Sequence, residues 1–219
     1  MRTLTYVTAL DASAGALMLC AVLLVWRRDL AALVRLLSVQ GLALALIPIT
    51  LGAHQRDGEL VAVGIGVLVL RAAILPGVVA RVLRGEPRPR ETQPLLNTSA
   101  SLLAVAALTV LAYAVSRPVV TLDPTPATHA APLAIAVVLV GIFMLVTRRR
   151  AMSQVVGFLM LDNGIAALAF LTTAGVPMVV ELGASLDVLL AVLVLQILSG
   201  RMRVKFGGTD LDELRELRD

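Results

Sequence analysis

Thiols, amines, imidazoles and aromatic rings are all scarce in this chain of 219 residues, and each scarcity removes a class of chemistry. The single cysteine, Cys20, excludes an intrachain disulfide and an iron–sulfur cluster, which needs several thiolates. The two histidines, His54 and His129, are expected in polar connecting segments, which argues against a membrane haem held by two histidines. Lys205 is the only lysine and lies outside every apolar run. A retinal Schiff base needs a lysine inside the helix bundle, so a rhodopsin is excluded. The phosphate-binding GxxxxGK[ST], zinc-binding HExxH and nucleophile GxSxG patterns are all missing. Aromatic residues make up 3% and charged residues 16%.

Apolar residues fill the space those absences leave. They make up 58% of the chain, and the mean hydropathy is +0.91. A soluble domain could not bury that much apolar surface, so the sequence reads as an all-α integral membrane protein. Seven spans of ~20 residues would use about 140 positions, which fits the length.

The apolar runs are 4–26, 30–52, 60–83, 95–116, 133–147, 152–174 and 177–200. Charged or proline-rich breaks separate them, including Arg27-Arg28-Asp29, the basic stretch after Leu83, a polar linker over 117–132 and Arg148-Arg149-Arg150. Each run should be a helix, because every backbone group in the bilayer needs a partner within its own segment. The first run is longer than a signal-peptide core of 7–15 residues and is followed directly by two arginines, so it reads as an uncleaved helix. The layout predicts a four-helix part over 1–131, a three-helix part over 132–200 and a cytoplasmic tail over 201–219.

Seven alternating spans can be oriented by counting Lys and Arg. With the N-terminus outside and the C-terminus in the cytoplasm, 14 fall on inside segments and 3 on outside segments. This asymmetry also explains the +4 net charge and the pI near 10.2 without a nucleic-acid partner.

Ionisable residues inside the runs carry the functional signal: Asp11, Arg71, Asp162, Glu181 and Asp187. Each costs about 2.5–3.5 kcal/mol at a helix centre, so each needs a reason to be there. Asp162 and Asp187 lie 13 and 12 residues on either side of Gly175, in the tight connection between the sixth and seventh runs. Both are therefore expected near mid-membrane, roughly 18–20 Å from that turn. Arg71 is expected about 16 Å deep and Asp11 about 10 Å from the outer edge. Glu181 lies nearer the outer side, about 240° around the helix from Asp187. A carboxylate in a low-dielectric interior can hold and release a proton near neutral pH, which is the chemistry of a proton relay. The competing expectation is a buried Asp–Arg pair that only locks helices together, with Arg71 as the counter-charge. Gln40, Asn163 and Ser13 are expected to bond between helices, and Gly64, Gly66, Gly141, Gly157 and Gly164 to let helices approach closely.

The stretch Gly157-Phe158-Leu159-Met160-Leu161-Asp162-Asn163-Gly164, followed by Glu181-Leu182-Gly183-Ala184-Ser185-Leu186-Asp187, resembles the component E family of hydrogenase-4 and formate hydrogenlyase-type complexes. The second half of that family resembles the K subunit of respiratory complex I and the C subunit of Mrp-type antiporters. The resemblance is specific over about residues 150–219, with a weaker match at Gln40 and over 71–76. It implies a non-catalytic membrane subunit, without metal or cofactor of its own, in a bacterial or archaeal inner membrane. The implied partners are antiporter-like and complex I H-subunit-like membrane subunits, a hydrophilic redox arm such as a [NiFe] hydrogenase, and lipid. Proton transfer would run through Asp162 and Asp187, with Glu181, Arg71 and Asp11 as further charged members and Gln40 and Asn163 in support. Two positions depart from the family: Asp162 stands where Glu is usual, and Arg71 stands where Lys is usual. Arginine hardly releases its proton, so Arg71 reads as a fixed charge. Two alternatives stay open: an Mrp-type cation/proton antiporter subunit with no redox arm, and a purely architectural subunit.

Overall fold

The computed structural model describes residues 2–83 and 96–173. The expected seventh span, with Glu181 and Asp187, and the tail over 201–219 lie outside the described residues. Among the described residues the protein is all helix, with six helices long and apolar enough to cross a membrane. They are Arg2–Trp26, Leu30–Gln55, a third begun by Gly58–Val67, then Thr98–Leu122, Pro126–Thr147 and Ala151–Thr173. The third helix is interrupted by a π-helical segment, Leu68–Ile74, and resumes over Leu75–Leu83.

The polar breaks in the sequence are mostly helix caps. Asp29 opens the second helix by accepting from the Ala31 N–H at 3.0 Å. Asp57 opens the third by accepting from Glu59 and Leu60 at 2.9 and 3.2 Å, and Asn97 opens the fourth through Ala100 at 2.8 Å. Each cap satisfies one or two of the N–H groups that a first turn leaves without partners. The second helix closes on Arg56, held in the left-handed region at φ 58°. Only Arg56 and Asp57 therefore separate the second helix from the third.

The connection between the fourth and fifth helices corrects the expected linker over 117–132. The fourth helix runs on to Leu122 and the fifth starts at Pro126, leaving Asp123-Pro124-Thr125 between them. Proline is tolerated at the first helical position, where its missing N–H would have no partner anyway. Pro126 takes that place behind Thr125, which forms a reciprocal capping box with Thr128. The fifth helix is thus 22 residues long, against the 15 of its expected run. Both histidines are likewise helical. His54 sits in the last turn of the second helix, its ring stacked on Tyr6 at 4.0 Å, and His129 lies near the start of the fifth.

The second helix packs against the first, third and sixth, and the fifth packs against the first, fourth and sixth. The fourth helix is the least covered of the six. Lipid tails are as apolar as leucine, so close van der Waals fit and small residues hold such a bundle rather than water expulsion. The fifth and sixth helices show this at Gly141 and Gly164. A Cβ on Gly141 would lie 2.7 Å from the Leu161 Cα, and one on Gly164 would lie 2.8 Å from the Val138 nitrogen.

One arginine of the Arg148-Arg149-Arg150 triplet has a structural task that charge counting does not expose. Arg148 is buried and its Nη2 donates to the Val25 carbonyl at 2.6 Å and to the Arg27 carbonyl at 3.3 Å. These carbonyls end the first helix, where partners are otherwise lacking. Gln154 Nε2 then donates to the Arg148 carbonyl at 3.0 Å, joining the start of the sixth helix to the same corner.

Candidate functional site

The bundle holds a chain of polar side chains that crosses it between four helices. Arg71, in the π segment, donates from Nη1 to Asp162 Oδ2 at 2.5 Å and to Asn163 Oδ1 at 3.0 Å. Asn163 Nδ2 donates to Gln40 Oε1 at 3.2 Å, and Gln40 Nε2 donates to the Leu17 carbonyl at 3.4 Å. Gln40 is fully buried, Arg71 is 2% exposed and Asn163 3%. The Asp162 side chain keeps 17% of its surface exposed.

The chemistry at both ends fixes the direction of these bonds. A guanidinium can only donate, so Asn163 must turn its oxygen to Arg71 and its NH2 to Gln40. The Leu17 carbonyl can only accept, so Gln40 must turn its NH2 that way. Both amides therefore point their oxygens toward the cation, and their dipoles spread its charge along the chain. Asp162 supplies the compensating negative charge. An ion pair removed from water is tolerable only when further hydrogen bonds support it, and Asn163, braced by Gln40, supplies one of these.

Local backbone structure brings Arg71 into place. A proline inside a helix cannot donate to the carbonyl four residues back, and its ring crowds that carbonyl. Pro76 comes one residue after the π segment closes at Ile74–Leu75, and the wider turn is seen in the Leu75 N–H reaching the Leu70 carbonyl. Such widened turns recur where a helix must present a functional side chain. The second helix yields to it at Gly41. A Cβ there would lie 2.8 Å from the Ala72 nitrogen and would overlap the Arg71 carbonyl. Gln40 is its neighbour, so the position that reaches Asn163 and the position that admits the Arg71 backbone are consecutive.

Four residues singled out in the sequence thus meet: Arg71, Asp162, Asn163 and Gln40. Asp11 does not join them and is exposed on the first helix. Asp187 and Glu181 lie outside the described residues. Ser13 bonds within its own helix, to the Ala9 carbonyl at 2.7 Å, and not between helices as expected. Sequence reasoning missed Gly41 and the π segment. The available signal was the Gln40-Gly41 pair together with a proline five residues after Arg71. Among the described residues, no three His, Cys, Asp or Glu side chains are grouped to hold a metal ion.

Six apolar helices carrying a buried charged network define a multi-pass α-helical membrane protein. The chain is 56% identical to the uncharacterized protein Rv0085 of Mycobacterium tuberculosis over 100% of both chains, and it belongs to the same family. It is also similar to hydrogenase-4 component E of Escherichia coli K12 and of Shigella flexneri. Each is 23% identical over 83% of this chain and 84% of the relative. No protein-family model matches the chain, and no solved structure matches it.

Proposed function

We propose that this protein is a membrane subunit of a hydrogenase-like, complex I-like assembly and that Asp162 is a proton-carrying group in it. The similarity to hydrogenase-4 component E supports the first part. The observation that carries the second is the pairing of Asp162 with a buried, amide-braced Arg71. A guanidinium does not readily release its proton, and neither do amides. Asp162 is therefore the one member of the network that can change charge. Its partly exposed edge is where a proton would arrive. When the carboxylate is neutralised the Arg71 pair weakens, and Asn163 and Gln40 hold the guanidinium in place until the proton leaves. Asp187 and Glu181 of the seventh span would continue the path.

A subunit role accounts for two outward-facing features. Asp11 is exposed within the first apolar helix, where a charge facing lipid is costly. The fourth helix exposes Leu103 and Val115. Partner subunits would cover both. Tagged protein recovered from its own membranes should bring antiporter-like subunits and a redox arm with it. Recovery with antiporter subunits alone would move the reading to an Mrp-type assembly, and recovery as a lone, stable chain would refute the subunit role.

The proposed topology has seven spans, the N-terminus outside and the C-terminus in the cytoplasm. Single cysteines placed at Gly58 and Pro124 should react with an impermeant reagent added to intact cells. Cysteines at Arg88 and Gly207 should react only after lysis. Labelling at Gly207 in intact cells would overturn the orientation.

The architectural alternative keeps one observation in its favour, since a helix-locking ion pair looks the same at rest. The two readings part when Asp162 is neutralised. A purely architectural pair would lose stability and leave proton movement unchanged, whereas a proton carrier would lose the movement itself.

A further inference from the structure

The proposed proton path leaves one concavity unused. A groove of about 570 Å³ opens between the fourth and fifth helices, far along the chain from Arg71 and Asp162. Arg117 and His129 line it close to the Asp123-Pro124-Thr125 connection, at the ends of the two helices. Thr109 and Val110 line it seven or eight residues before Arg117, so the groove reaches about 11 Å further along the helix. Ala114 and Pro132 lie between. Two interior prolines border it, Pro118 in the fourth helix and Pro132 in the fifth, each removing one rung of its helical ladder.

The polar groups in the groove divide into used and available. Thr109 donates to the Val105 carbonyl at 2.8 Å, Ser116 to Tyr113 at 3.1 Å and Thr121 to Pro118 at 2.9 Å. Those hydroxyls are spent within their own helix. Among the described residues no hydrogen bond or ion pair engages the side chains of Arg117 or His129. The groove therefore offers a guanidinium and an imidazole near the helix ends and, below them, a mostly apolar lining that includes the Tyr113 side chain. Imidazole has an N–H to donate whether neutral or charged.

That gradient fits an amphiphile with an anionic head and an apolar tail. The volume lies within the range of small-molecule pockets, roughly 300–1,000 Å³. The paired guanidinium and imidazole at one end match a phosphate in charge and hydrogen bonding, and the apolar lining matches a tail. We propose that the groove is a binding site for an anionic phospholipid. The phosphate is held by Arg117 and His129, and one acyl chain lies along Ala114 and Val110. The site is separate from the proton path and does not depend on it.

The test uses the full-length protein, with whatever subunits accompany it, in nanodiscs made of equal phosphatidylglycerol and phosphatidylcholine. Lipid retained after release is counted by native mass spectrometry. The wild type should retain phosphatidylglycerol in preference to phosphatidylcholine. Arg117→Gln with His129→Gln should lower that preference about fivefold, which is ~1 kcal/mol of contact to a cationic side chain near the surface. Val110→Trp, which fills the tail end and keeps Arg117 and His129, should lower retention of both lipids. Excess inorganic phosphate should displace neither; if it does, the site is a simple anion site and the lipid proposal fails. Equal retention of the two lipids by the wild type, an unchanged preference in the double variant, or a peptide in place of lipid would each overturn it.

Discussion

Replacing Arg71 with leucine is expected to do more damage to the folded protein than any other single change in the network. The substitution removes both bonds made by Nη1 and leaves Asp162 without its counter-charge and Asn163 Oδ1 without its donor. Removing one partner of a buried pair typically costs 3–5 kcal/mol, because the remaining charge is stranded. Asp162 keeps some exposure and can take up a proton, so about 3 kcal/mol is the expected loss here. Arg71→Lys should lose less. An ammonium keeps the charge, although it lacks the planar fork. The double change of Arg71 and Asp162 to leucine should recover most of the loss, because neither charge of this pair is left without the other. Thermal unfolding of the purified assembly, together with the amount of the chain retained in membranes, checks all three. An Arg71→Leu protein as stable as the wild type would show that the pair does not hold the bundle.

The first six spans are legible because their ends are marked by charge. Asp29 and Asp57 both break the apolar runs and cap the helices that they precede, whereas Asn97 caps the fourth helix from inside its expected run. The segment around Pro118, Pro126 and Pro132 misleads for a physical reason. Prolines interrupt a hydropathy pattern wherever they stand, yet one at a first turn costs a helix nothing, and interior ones are tolerated in apolar helices packed on neighbours. The pairing of Arg71 with Asp162 is within reach of the sequence, since counting residues from the span ends puts both near mid-membrane. The Asn163–Gln40 link is visible only as two polar residues in apolar runs. The π segment and the Gly41 contact leave only the faint signals of Pro76 after Arg71 and a glycine beside Gln40. They are decided by which carbonyl each N–H reaches and by how closely two backbones approach, and neither leaves a periodic trace in residue type. Arg148 is hidden for another reason. In a charge count it equals Arg149 and Arg150, and only the position of the Val25 and Arg27 carbonyls sets it apart.

Asp162→Asn is expected to uncouple proton movement while sparing assembly. Asparagine has nearly the shape of aspartate, and its oxygen can still accept from Arg71. It cannot take up or release a proton, so the one group in the Arg71–Asn163–Gln40 network able to change charge is lost. Arg71 is then left with no negative partner in this network, and some loss of stability is expected. Two amide oxygens, the new one and that of Asn163, still accept from the guanidinium. They should limit the loss to about 1–3 kcal/mol, the cost of a weakened charged hydrogen bond. Asp162→Glu should keep much of the coupling, because it keeps the carboxylate and adds only reach.

The measurement that bears most directly on the account is the number of protons moved per electron by the assembly reconstituted in vesicles, with wild type, Asp162→Asn and Asp162→Glu compared at matched subunit content. A proton carrier at Asp162 predicts a clear fall in that ratio for Asp162→Asn and a ratio near wild type for Asp162→Glu. A fully assembled Asp162→Asn variant that moves as many protons per electron as the wild type would contradict it and leave the Arg71 pair with an architectural role alone.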